Sequence, residues 1–304
     1  MAGRFATRTA FFALFLLAPV LDLFRLDLTR GHFVFLGMDW TLGLRELGHT
    51  ADAGDLALRM TLRAGLPLLL TLGLLMFAVW RWGRIYCGWL CPHFSMVEWI
   101  DAVMQRWLGR RSLWERRRGE RRAGARLVVA GAVALVAALW AVTLLSYLVP
   151  PLPLWRGLFT LELPRWQWIF VTVATALFAI EFTLARHFFC KYGCAVGIFQ
   201  SLIWMANRKA MVVGYDAARG RDCRGCHACD EVCPMRLPPR GFKRAKFTCT
   251  QCAACIQACA TVQADNPDGP LLNWVIGQAA TELDRRPRTQ ISCPSAKGET
   301  QWKN

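Results

Sequence analysis

Four stretches of this chain lose their polar positions for long enough to suggest bilayer-spanning helices, which need about 20 mostly apolar residues. Ala64 to Trp80 carries no charge between Arg63 and Arg81. Leu127 to Val149 is long and apolar and is stopped by Pro150, Pro151 and Pro153. Trp166 to Ala185 is apolar apart from Glu181. Ala10 to Phe24 is shorter and is interrupted by Pro19 and Asp22. With Arg4 and Arg8 ahead of it, it has the look of a signal peptide. Leu23-Phe24-Arg25 is the wrong chemistry for cleavage, however, and an uncleaved anchor is expected. Two amphipathic stretches follow spans and should lie in the membrane interface. One is His93 to Leu108, with Met96, Val97, Ile100, Val103, Met104 and Trp107 on one side; the other is Val196 to Met205. Phe33 to Leu44, with Trp40, reads as an amphipathic surface on the opposite side of the membrane.

Charge orients these spans. The chain has 304 residues, 55% of them hydrophobic, and a net charge of +16. Such a basic chain suggests nucleic acid until the arginines are placed. Two basic residues precede the first span, 11 lie between the second and third, and 17 follow the fourth; seven remain for the other side. Cytoplasmic loops carry the excess of lysine and arginine. Both termini, the middle loop and the cysteine-rich end are therefore expected in the cytoplasm of a bacterial inner membrane, and no nucleic acid is invoked. The cluster Arg116, Arg117, Arg118, Arg121 and Arg122 reads as a stop signal with affinity for anionic membrane lipid.

The candidate chemistry lies in the cysteines. Eight of the 13 form two runs, Cys223-x2-Cys226-x2-Cys229-x3-Cys233-Pro234 and Cys249-x2-Cys252-x2-Cys255-x3-Cys259. In this spacing the first three thiolates bind one iron–sulfur cube and the fourth ligates the other cluster. One [4Fe–4S] cluster is thus assigned to Cys223, Cys226, Cys229 and Cys259, and the other to Cys233, Cys249, Cys252 and Cys255. Four-cysteine zinc sites pair separated Cys-x2-Cys knuckles instead. Such clusters move single electrons, so the chain reads as an electron-transfer protein.

Four more cysteines form two Cys-x3-Cys pairs, Cys87-Gly-Trp-Leu-Cys91-Pro92 after the second span and Cys190-Lys-Tyr-Gly-Cys194 after the fourth. Residues four apart on a helix share a face, so each pair is expected to present two thiols together at the cytoplasmic edge of the membrane. Four such thiolates can bind a soft metal such as copper(I), hold a further iron–sulfur centre, or cycle as disulfides. The plainer alternative is small buried cysteines packing between helices. Glu181, a carboxylate inside a span, is a candidate acceptor for a quinol proton; its bland alternative is an ion pair with Arg186. His93 beside Cys91 is a candidate metal ligand. Asp22 with Arg25 reads as an interfacial charge pair.

The whole chain resembles the polyferredoxin membrane family, which includes NapH-type quinol dehydrogenase subunits, the membrane and ferredoxin part of NosR, and CcoG/FixG-type oxidase accessory proteins. The resemblance rests on the four spans, on Cys87-Gly-Trp-Leu-Cys91-Pro92, on the second pair followed by Gly197-Ile198-Phe199-Gln200-Ser201, and on the two terminal cysteine runs. The segment from Val213 to Gly220 leading into Cys223 and the segment Gly31 to Gly37 are most similar to the CcoG branch. Two departures stand out: Cys194-Ala195 replaces the usual Cys-Pro, and the further span and immunoglobulin-like domain of that branch are expected to be lacking. The resemblance implies quinol oxidation or metal reduction at the membrane face, with redox partner proteins of a respiratory chain. It leaves a copper-reducing assembly factor for an oxidase and an iron–sulfur redox sensor as rival readings.

The expected architecture is a mainly α integral membrane protein of four transmembrane helices with a small α+β two-cluster ferredoxin domain. Residues 1–210 form the membrane part, 211–270 the ferredoxin domain and 271–304 a tail.

Overall fold

The computed structural model describes residues 2–41, 53–111, 113–114, 123–223 and 226–285. The arginine cluster at 116–122 lies outside them. The first part runs α1 (Ala2–Leu17), β1 (Phe24–Asp27), β2 (His32–Phe35), β3 (Met38–Trp40), α2 (Ala53–Met60), a π turn (Thr61–Gly65), α3 (Leu66–Trp82), α4 (Ile85–Trp89), α5 (Pro92–Leu108), α6 (Ala125–Ser146), α7 (Pro151–Thr160) and α8 (Arg165–Ile180), which ends in a π turn (Glu181–Ala185). After a third π turn (Phe189–Gly193) come α9 (Ala195–Ala206), β4 (Val212–Tyr215), α10 (Ala228–Glu231), α11 (Ala254–Val262), β5 (Leu272–Val275) and α12 (Gln278–Arg285). Contacts divide the chain into two units, one of Ala2–Leu72 with Leu90–Phe189, the other of Gly73–Trp89 with the residues from Cys190 onward.

Among the described residues, three helices are long and apolar enough to cross a membrane: Gly54–Trp82, Ala125–Ser146 and Arg165–Ala185. Leu68, Leu69, Leu70 and Leu74 of α3 and Ile169, Val173 and Leu177 of α8 are exposed. Apolar faces of that extent need lipid as their solvent. The first expected span differs from its reading. Helix α1 has 16 residues, about 24 Å at 1.5 Å per residue, and it ends ahead of Pro19, which cannot continue it. Phe24 belongs to a strand rather than to the span.

In the first unit, α5, α6 and the end of α8 share a core of Val97, Ile100, Met104, Val129, Val133, Val136, Trp140 and Phe182. The amphipathic stretch at His93–Leu108 is α5, and its apolar side fills this core. Helix α1 joins through Phe15, whose ring lies 5.0 Å from that of Trp140, and whose carbonyl accepts from the Tyr147 hydroxyl at 2.7 Å. Arg4 donates to Glu98 of α5 at 2.9 Å, and Arg8 pairs with the same carboxylate. Strands β1, β2 and β3 form an antiparallel meander with Phe24 opposite Phe35 and Phe33 opposite Trp40. Its turns use Gly31 and Gly37 at positive φ, where glycine has no Cβ to clash. Arg25 bridges Asp22 and the fully buried Asp27, so the expected Asp22–Arg25 pair is part of a larger cluster. Helix α7 occupies a segment that the three prolines had marked as a break. Pro151 stands in its first turn, where a missing N–H costs nothing.

In the second unit, β4 and β5 pair antiparallel, with Val212 opposite Val275. Behind them a small core gathers Trp204 of α9, Ala210, Val212, Ala280 and Leu283. The Asn207 side chain donates to Trp80 O at 2.9 Å and Met211 N to Arg81 O at 3.0 Å, which fastens the end of α9 to the end of α3. Short strands and short helices here produce the α+β character of the cysteine-rich part.

Candidate iron–sulfur sites and the cysteine pairs

The two cysteine runs fold alike. The residue between the second and third cysteine, His227 in one run and Ala253 in the other, takes the left-handed conformation and caps a short helix, α10 or α11. That kink is uncommon for a residue with a Cβ, and it turns the first three cysteines of each run toward one space. The fourth cysteine of each run crosses over. Cys223, Cys226, Cys229 and Cys259 line one cavity together with Tyr215, His227 and Arg240. Cys233, Cys249, Cys252 and Cys255 line another with Val213, Pro234 and Met235.

The donor chemistry fits a metal cluster. Burial pushes the Cys229 thiol up to about 11, with Asp230 adding to the shift and Arg240 opposing it. Burial pushes Cys249 up to about 12 and Cys255 further, and neighbouring cysteines add to both. Thiolates crowded in such rings repel one another, and a metal core removes that cost by deprotonating and ligating them. Among the described residues no three His, Cys, Asp or Glu side chains close on one ion. The cysteines instead surround two cavities, four to each. When bound, an iron–sulfur cluster supplies one-electron storage and transfer.

The Cys-x3-Cys pairs differ from their expected form. Neither pair lies along one helix. Cys87 is inside α4, while Cys91 is the N-cap of α5 in an extended conformation. Pro92 is the cause, since the residue before proline is driven out of the helical region. Cys190 is inside the π turn and Cys194 is the N-cap of α9, with Gly197 N–H donating to its sulfur at 3.4 Å. Ala195 stands where the first pair has proline. The pairs are therefore equivalent in design, a thiol in a short turn followed by a thiol at a helix start. Cys87, Cys190 and Cys194 belong to one unit and Cys91 to the other.

Two residues around Cys87 were not singled out by sequence. Arg84, counted only as a basic loop residue, is 1% exposed. It donates to Cys190 O at 3.0 Å and to Ser201 Oγ and Thr248 O at 3.4 Å. Gly197 provides the space, because a Cβ there would meet the Arg84 Nη2 at 2.3 Å. Gln200, buried at 2% exposure, accepts from the Cys87 thiol at 3.3 Å. Burial pushes the Cys87 thiol up and Arg84 opposes that.

Helix α4 also packs on the second cysteine run. A Cβ on Gly88 would lie 2.3 Å from Thr250 O and 2.9 Å from Cys252 Cα. The indole of Trp89 donates to Gln251 O at 3.0 Å.

Glu181 pairs with His93 at 2.9 Å instead of with Arg186. Its Oε1 is buried without a hydrogen-bond partner among the described residues. Arg186 pairs with Asp101, which also accepts from His187 Nε2 at 3.2 Å. Both interactions depend on how α5 packs against α8, which no local pattern announces.

Among the described residues, helices long and apolar enough to cross a membrane are joined to a ferredoxin-like cysteine framework. The family model described as a 4Fe–4S binding domain matches residues 64–111 and 166–210, the two segments that carry the Cys-x3-Cys pairs. The chain is 30% identical to protein RdxA of Cereibacter sphaeroides over 64% of its own length and 44% of RdxA. It is 28% identical to the methylamine utilization ferredoxin-type protein MauN of Methylorubrum extorquens, over 68% of this chain and 66% of MauN. It is 25% identical to the nitrogen fixation protein FixG of Rhizobium meliloti, over 58% of this chain and 37% of FixG. The chain thus spans less than two thirds of these relatives. It is similar to these ferredoxin-type proteins in its two 4Fe–4S family segments. No solved structure matches it.

Proposed function

We propose that the protein carries electrons between a redox site at the membrane edge and two [4Fe–4S] clusters held by a cytoplasmic ferredoxin domain. Cys223, Cys226, Cys229 and Cys259 hold one cluster, and Cys233, Cys249, Cys252 and Cys255 the other. Cys87, Cys190 and Cys194 form the membrane-edge site, and Cys91 is a further redox or metal candidate. The observation that carries the reading is the packing of α4 on the second run. Gly88 and Trp89, the residues just after Cys87, touch the backbone of Thr250, Gln251 and Cys252. A thiol that close to a cluster-ligand loop is suited to exchange electrons with it. The 4Fe–4S family match over both pair segments supports iron–sulfur chemistry there ahead of copper.

In this reading α1 is a fourth membrane-spanning helix, and both termini face the cytoplasm, in line with the distribution of basic residues. Respiratory redox proteins supply or accept the electrons, with quinol the candidate donor on the membrane side. Cys87→Ser and Cys194→Ser test the proposal. Each should abolish electron exchange with a quinol analogue or a membrane donor while the cluster signals of the ferredoxin domain stay intact. Unchanged exchange would return the pairs to a packing role. Stoichiometric copper on the purified protein, lost in both variants, would replace this reading with copper reduction.

A further inference from the structure

The two four-cysteine sites sit in different electrostatic surroundings. Beside the one ringed by Cys233, Cys249, Cys252 and Cys255, the Lys246 ammonium is 1% exposed and donates to Val213 O at 2.6 Å. Val213 itself lines that cavity. Arg84, equally buried, donates to the carbonyl of Thr248, next to Cys249. Lys243 is a third cation buried in the same unit, donating to Trp204 O at 2.9 Å.

The site ringed by Cys223, Cys226, Cys229 and Cys259 faces Arg240, whose Nη1 is 4.0 Å from Cys223 Sγ. That guanidinium also pairs with Asp230, which is 30% exposed and lies 3.0 Å from the exposed His227. The half-buried Asp230 carboxylate at its side cancels most of the field that Arg240 exerts on the site. Water screens exposed charges within a short distance, whereas buried charges act at a low effective dielectric. Local net charge is one of the levers that set a cluster's potential.

We propose that Lys246, with Arg84, is a potential-setting residue that makes the cluster held by Cys233, Cys249, Cys252 and Cys255 the more readily reduced of the two. The inference rests on the two-cluster reading above. The step it biases is the addition of one electron, with no bond made or broken and no proton moved. Burial alone works against it, because water no longer solvates the added negative charge; the buried cations outweigh that loss. The consequence is directional. An electron shared by the domain rests at the site against which α4 packs, next to Gly88 and Trp89.

The test is an EPR-monitored redox titration of the full-length loaded protein in nanodiscs with dithionite as reductant. Two components of different midpoint are expected. Lys246→Met should lower the higher of the two by at least tenfold in the reduction equilibrium, which is 59 mV for a one-electron couple. The lower should not move. Arg84→Gln should lower the same component by a smaller factor, and it decides the matter if Lys246→Met does not load. Arg240→Gln should shift the other component by less than threefold. Movement of the lower component in Lys246→Met or Arg84→Gln, equal movement of both, or no movement overturns the proposal. A parent protein with one cluster or none fails the underlying reading instead.

Discussion

Replacing Gly88 with alanine puts a carbon 2.3 Å from Thr250 O, 2.9 Å from Cys252 Cα and 3.0 Å from Cys252 N. Ordinary contacts between carbon atoms lie at about 3.5–4.0 Å, so one methyl group demands a shift of roughly 1 Å. The atoms in its way are backbone, not the tip of a flexible side chain, and α4 and the ligand loop must separate. Overpacking of this kind costs about 1–3 kcal/mol, and the Trp89–Gln251 hydrogen bond is strained by the same movement. Thermal unfolding in detergent, followed by protein fluorescence and by cluster absorbance, should show both signals falling together at a lower temperature. Electron exchange with a membrane donor should slow more than stability alone explains, because the Cys87 loop is pushed off the ligand loop. Gly73→Ala is the control: no atom lies within 4 Å of its added Cβ, and glycine inside a helix is less favourable than alanine by roughly 0.5–1 kcal/mol. Gly88→Ala melting with the parent, and exchanging electrons at the parent rate, would refute the contact between α4 and the ligand loop.

Three further outcomes follow from single residues. Burial raises the Asp27 carboxyl, but hydrogen bonds from Thr29 and Arg25 overcome this and hold it at about 2. The stability it contributes is present above the ordinary carboxylate range and is lost as pH falls through about 2. Asp27→Asn should cost about 1.5–3 kcal/mol at neutral pH, the worth of hydrogen bonds to a charged group, and should flatten the acid limb of a melting-temperature profile. His187 is held down to about 4 by burial, so it is neutral in the fold and protonates near 6.5 when unfolded. Stability should therefore decline as pH falls from about 6.5 toward 4, and His187→Gln should remove that slope in the same assay. Impermeant thiol reagents should reach Cys87 and Cys190 only in inverted vesicles of permissive state and never in intact cells; labelling from outside would reverse the proposed orientation.

Which cysteines gather in each cavity was legible because their spacing is a local code. The spacing in each run, and the crossover of Cys233 and Cys259, place the thiols that line each cavity. The three long apolar helices were legible for the same kind of reason, since composition over 20 residues is enough to recognise a span. What sequence missed depends on contacts between distant segments. Arg84, Lys243 and Lys246 count as surface charge in any tally of basic residues, yet all three are buried, because backbone carbonyls from other elements receive their protons. The strands from Phe24 to Trp40 have four, four and three residues, too few for their alternation to stand out. The expected helical face shared by Cys87 and Cys91 failed on Pro92, a signal present in the sequence and read only as the end of a motif.

The central claim is that this chain holds two [4Fe–4S] clusters on the eight cysteines of its terminal runs, and iron analysis with EPR tests it most directly. Anaerobically reconstituted protein should contain about eight irons and eight acid-labile sulfides per chain, four for each cysteine ring. After dithionite reduction it should give a spectrum of two interacting paramagnetic centres, and Cys226→Ser should lose the centre on its own ring. Tightly bound zinc with little iron and no paramagnetic signal would contradict the account.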